Sequence, residues 1–151
     1  MRSHRTRRGR RRGAVALECA LTLPFFVLII FGIIESGQVM TSEEIIVNAA
    51  REGARLASLG GSTIGTGTSN GPDEVNYRVR SYLDTAAVPS ANAVITVTDL
   101  DRSISDLPQA SAGDQIKVSV SVPFSKIAWS PPMFFGGAVL SSSSTMRKEA
   151  P

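Results

Sequence analysis

Apolar positions along this chain change their period from one stretch to the next. From Ala14 to Ile34 they are nearly continuous, broken by a single charge, Glu18. Such a run predicts a helix of roughly 30 Å, the thickness of a bilayer's hydrocarbon core. Pro24 lies inside it and should kink it, which membrane helices tolerate. From Glu35 to Leu59 the pattern becomes amphipathic. Ile46, Ala49, Ala50, Gly53 and Ala57 recur on one helical face, while Glu44, Asn48, Arg51, Glu52 and Arg55 fall largely on the other. Gly60-Gly61 supplies a stop, and Gly, Ser and Thr fill residues 60–71 as a linker. The combined helix should hold about 45 residues and reach roughly 65–70 Å.

Beyond the linker the elements shorten. Pro72 to Leu83 reads as a helix with Val75, Val79, Tyr82 and Leu83 on one side. Residues 93–98 read as a strand rich in β-branched side chains. Residues 115–122 alternate, so that Ile116, Val118, Val120 and Val122 should face one layer. Ser-Ala-Gly-Asp, residues 111–114, suits a turn, and residues 139–147 suit a third strand. The expected fold class is α+β: a long N-terminal transmembrane-plus-amphipathic helix, pilin-like, with a small antiparallel sheet head. The division is 1–13 basic leader, 14–34 transmembrane helix, 35–59 amphipathic extension, 60–71 linker and 72–151 head. A buried helix in a soluble protein is the alternative for 14–34, but the remaining chain is too small and polar to wrap it. The segment 126–137 concentrates Trp129, Met133, Phe134 and Phe135 between prolines and glycines. It packs as a core plug, or it presents a partner surface or a membrane-facing tip.

Charge sharpens the topology. Seven of the sixteen basic residues are arginines within the first twelve positions, whereas the chain beyond residue 13 carries nine basic against thirteen acidic groups. The high isoelectric point therefore belongs to a tail. An arginine tail can neutralise phosphates, but one abutting the most hydrophobic segment fits the positive-inside rule instead. Nucleic acid is not expected as a partner. The leader should be cytoplasmic and the head extracytoplasmic, on a single pass through the cytoplasmic (inner) membrane.

Chemistry is sparse. The one histidine, His4, lies in the tail, no Cys/His cluster suggests zinc, and no nucleophile has a base beside it. No catalytic, cofactor or metal residue is expected, nor a small-molecule substrate. "GGSTIGTGTSNG" lacks the Gly-Lys-Ser/Thr ending of a phosphate loop. Asp99, Asp101 and Asp106 lack the glycine and terminal glutamate of a calcium loop and read as a solvated acidic turn. Cys19 is the only cysteine, which excludes an internal disulfide. It stands at the start of the apolar run, where a lipoprotein signal would not place it, and no small-x-small site of a secretory signal follows the run.

The leader resembles that of type IV pilins. In that family a membrane-embedded prepilin peptidase cuts after a glycine that ends a basic leader, and a glutamate usually stands fifth in the mature chain. The resemblance implies processing between Gly13 and Ala14, with Glu18 as the assembly carboxylate that pairs with a free terminal ammonium. Snorkelling of Glu18 to the headgroups is the alternative. Further, "ALECALTLPFFVLIIFGIIESGQVM" followed by "NAAREGARLAS" resembles the N-terminal region of TadE-like proteins, pseudopilins of the tight-adherence (Flp) pilus system. Its motif positions here are Asn48, Arg51, Glu52, Gly53 and Arg55. "VSVSVPFSKIAWSPPMFFGGAVLSSSSTMRKE" resembles the family's closing region. Cys19 beside the glutamate departs from the pattern. So does the absence after Glu18 of the aromatic residue of Flp major pilins, which points to a minor pseudopilin.

Two functions follow. One is a membrane-anchored structural protein of pilus biogenesis, possessing no enzymatic activity, with the prepilin peptidase, other pilin and pseudopilin subunits and the assembly machinery as partners, and pilus-associated after processing. The other is an uncleaved bitopic protein whose exported head is a partner-binding module.

Overall fold

The computed structural model describes residues 7–59, 72–101 and 110–149. The expected linker, residues 1–6 of the leader and Asp106 lie outside the described residues. Helix α1 (Arg7–Ser58) runs for 52 residues without a break at Pro24. It begins earlier than the expected Ala14 because arginine is itself a good helix former and no strong breaker separates the tail from the apolar run. α2 (Pro72–Thr85) follows, then three strands, β1 (Val94–Asp99), β2 (Gln115–Pro123) and β3 (Val139–Arg147). The helix-plus-sheet class and the strand positions agree with the pattern of the sequence to within about two residues.

The strands form an antiparallel meander in the order β1-β2-β3. Val118 pairs with Val97 on one side and with Ser144 on the other, and Val120 pairs with Ile95 and Ser142. Directly opposed residues share a face, so Val118 and Val120 of β2 meet small serines on β3. This asymmetry lets α1 approach the sheet closely. α1 packs on β2 and β3, while α2 contacts both α1 and β1. Ile46, Ala49, Ala50, Ala54, Ile116, Val118, Val120 and Val122 are buried together. The small-residue face read from the sequence is the face that packs. At Gly53 a Cβ would lie 2.6 Å from Val79 Cγ2 and 3.1 Å from Val118 Cγ1, so three elements converge where one residue has no side chain.

One expected core position differs. Tyr82 is 38% exposed, and the buried line of α2 is Val75, Val79 and Leu83. That line advances by four residues per step and centres on Val79, which leaves Tyr82 at the rim. α2 ends with Ala87 in the left-handed region at φ 60°. The Val88 amide donates to Leu83 O at 2.9 Å and the Ala87 amide to Asp84 O at 3.1 Å, the paired bonds of a Schellman ending. Asp84 then accepts from the Ser90 amide and hydroxyl, both at 2.9 Å. Arg80 donates to Ser90 O and Ala93 O. These bonds lead the chain from α2 into β1. Asp99 is 1% exposed and accepts from the Asp101 amide at 2.9 Å, while Asp101 accepts from the Gln115 amide. The expected solvated acidic turn is thus, at Asp99, a buried backbone brace.

Candidate functional site

The N-terminal part of the site is a bare helix. Gly13 and Ala14 lie in α1 and are exposed, as are Glu18 and Cys19. Thr22 Oγ1 donates to Glu18 O at 3.0 Å, with Cys19 O at 3.3 Å. That bond engages the Glu18 carbonyl and leaves its carboxylate without a partner among the described residues. No residue in the most hydrophobic window of the helix is buried by the rest of the protein. A span left this exposed over most of its length is suited to lipid or to other helices.

The motif residues of the extension divide between two roles. Gly53 is buried in the crossing with α2 and β2. Asn48, Arg51 and Arg55 face outward. Arg55 donates to Glu52 through Nε at 3.0 Å and Nη2 at 2.8 Å, one helical turn apart. That hydrogen bond, with the guanidinium charge, holds the Glu52 carboxyl below its usual range and raises Arg55. Met40, Glu43, Glu44, Val47, Asn48 and Arg51 line a shallow open groove on the same outward side.

The aromatic segment is where the structure decides most. The core-plug reading fails: Trp129 is 76% exposed, Met133 58%, Phe134 55% and Phe135 38%. Phe124, fully buried, anchors the base of the loop, and its amide donates to Ala138 O at 2.9 Å. From there the loop reaches back along α1 instead of inward. A Cβ on Gly32 would lie 3.7 Å from Phe134 Cε2, so the ring lies against the last turn of the apolar run.

Glu35 holds the loop there. Its carboxylate accepts from the amides of Met133 (3.2 Å), Phe134 (3.0 and 3.2 Å) and Phe135 (2.7 Å). The side chain is buried, and three convergent amides compensate for its removal from water. From the sequence Glu35 reads only as the first residue of the amphipathic extension. Its partners stand 98 to 100 positions away, so no local pattern could have found them. No group of three or more His, Cys, Asp or Glu side chains among the described residues could hold a metal ion.

This long helix, bare below and small-faced above, is what a family comparison can recognise. Residues 13–55 match the TadE-like protein family. No curated protein and no solved structure matches the chain. The TadE-like match supports a pilus-associated protein, of a family that is structural and not enzymatic. It begins at Gly13 and ends within α1, so the head, including the closing region 118–149, lies outside it. A TadE-like segment with one apolar helix near its N-terminus also supports membrane association and contact with pilus subunits.

Proposed function

We propose that the protein is a TadE-like minor pseudopilin. It sits in the cytoplasmic membrane with the arginine leader inside and the head outside, and it serves biogenesis of a tight-adherence pilus as a structural subunit. A prepilin peptidase removes the leader after Gly13, and the ammonium freed at Ala14, its own or a neighbouring subunit's, pairs with Glu18. The supporting observation is the unpartnered, exposed Glu18 five residues past Gly13, where the family match begins. A carboxylate at mid-bilayer costs about 2.5–3.5 kcal/mol on insertion scales, less towards the interface, and a cleavage-made cation offsets that cost. Loss of the leader also strips the arginines that hold the helix's N-terminus at the membrane surface, so the helix can pass into an assembly.

The test is the mass of the protein purified from membranes of cells holding the cognate peptidase. A species beginning at Ala14 is expected, and Gly13→Arg should leave the precursor intact. Glu18→Ala should allow cleavage and weaken assembly. An intact N-terminus in the unaltered protein would favour the uncleaved anchored module. Orientation is read separately: a phosphatase fused after Arg147 should be active, and an inactive but stable fusion would reverse it.

A further inference from the structure

The tip of the loop, at Phe134 and Phe135, reaches past the body of the head, while Trp129 shares a groove with Ala86, Ala87 and Val88 at the head's edge. The core of the head packs on α1 from Val39 onward, whereas Phe134 lies against Gly32. Val39 and Gly32 are separated by about 10 Å of rise along the helix. If residues 14–34 fill the hydrocarbon, Phe134 is level with the last turn of the span. Together with Ile29, Gly32, Ile33 and Ser36 of α1, Phe134 and Phe135 line one open, predominantly apolar groove. Trp129 borders a neighbouring groove with Ile34, Gln38 and Thr41, and so stands farther out along the helix. Rings at the span's end with an indole above them follow the depth order of an interfacial belt, in which tryptophan takes the headgroup level.

Irregular backbone is normally excluded from such a position, because its amides find no water there. This loop solves that problem. Pro131 and Pro132 have no N–H, and the N–H groups of Met133, Phe134 and Phe135 all donate to Glu35. From Pro131 to Phe135 every backbone donor is therefore either missing or taken. The same contact satisfies the one acid at the end of the span. From Pro131 to Phe135 the tip thus presents exposed apolar side chains on a backbone with no free donor, which suits lipid better than water or a hydrogen-bonding partner.

We propose that residues 129–135 form a second membrane contact, an interfacial anchor that seats in the bilayer's headgroup and acyl boundary beside the C-terminal end of the span. Glu35 sets its depth. The occupant of the apolar groove is lipid, continuous with the lipid around α1. The proposal rests on α1 spanning the membrane and goes beyond any role in pilus biogenesis. It fixes the head to the membrane at two points, so the head cannot tilt freely about the helix while the protein remains in the bilayer.

Trp129 is the only tryptophan of the chain and reports directly. The full-length protein is placed in phosphatidylethanolamine/phosphatidylglycerol vesicles at no more than about one copy per vesicle, with and without lipids brominated near the headgroup end of the chain. Expected are an emission maximum shifted to shorter wavelength than free tryptophan, loss of most emission with brominated lipid, and poor quenching by aqueous iodide. The F134S/F135S double variant should move Trp129 toward water and reduce the bromolipid quenching, with the circular dichroism of the head unchanged. Glu35→Ala, which frees the three amides, should act in the same direction. Iodide quenching without bromolipid quenching would overturn the proposal. So would a blue-shifted emission insensitive to bromolipid, since that means protein covers the loop. Carbonate washing separates the two levels: protein washed off the vesicles would refute the span itself and the anchor with it, whereas retained protein with an unquenched Trp129 refutes only the anchor.

Discussion

The Glu35 carboxylate and the Phe134 amide, 99 positions apart in the chain, meet at 3.0 Å. Their contact joins the end of the apolar helix to the tip of the connection between β2 and β3. Because the Met133 and Phe135 amides share the carboxylate, the loop is held by its backbone, and its rings remain turned outward.

Replacing Glu35 by alanine should therefore loosen the loop before it disturbs the sheet. Amide exchange at Met133, Phe134 and Phe135 should accelerate, and proteolysis within 129–137 should appear, while Val118 and Val120 stay protected. Glu35→Gln keeps one acceptor oxygen and should fall between. Unchanged exchange at the three amides in Glu35→Ala would show that the clasp does not hold the loop.

Gly53→Ala should destabilise the head despite improving helix propensity. The new Cβ would meet Val79 Cγ2 at 2.6 Å. Overpacking of this kind costs about 1–3 kcal/mol, against about 1 kcal/mol returned by replacing glycine in a helix. Denaturant titration in mild detergent should show a lower midpoint, and Gly53→Val a lower one still. A stabilised Gly53→Ala would mean that α1 and α2 are more widely spaced than described.

Ala87→Gly should have the opposite sign. Ala87 holds φ 60° at the end of α2, where a side chain is strained and glycine is not. Relief of about 1 kcal/mol is expected, read as a raised thermal midpoint with unchanged circular dichroism. Ala87→Val should lower the midpoint.

Acid should weaken the α2 to β1 connection. Hydrogen bonds from the Ser90 amide and hydroxyl, aided by the Arg80 charge, hold the Asp84 carboxyl below its ordinary value against desolvation. A depressed folded value means that this contribution is fully present above the unfolded value of about 3.9 and fades as pH falls through the lower folded value. Thermal midpoints between neutral pH and about pH 2 should fall less steeply in Asp84→Asn than in the unaltered protein, because the variant has no such proton to take up. Parallel slopes would remove Asp84 from the acid response.

The elements were legible because each is a local matter. A continuous apolar run, a small-residue helical face and the alternation of Ile116, Val118, Val120 and Val122 state their own period, and the structure buries those positions as the period requires. The likeness to TadE-like proteins lay in the same local text, within residues 13–55. Composition could not tell a buried aromatic cluster from an exposed one, so the core-plug reading of Trp129, Met133, Phe134 and Phe135 was available and incorrect. Tyr82 likewise needed the position of α1 to show which side of α2 is covered. By itself the sequence determined a long helix, a three-stranded head, where the two pack and which end is basic. Only the tertiary structure decided that Glu35 collects three amides from a distant loop and turns its rings outward beside the span. Hydrophobic periodicity is written between neighbours in the chain, whereas a carboxylate's hydrogen-bond partners are chosen by proximity in space.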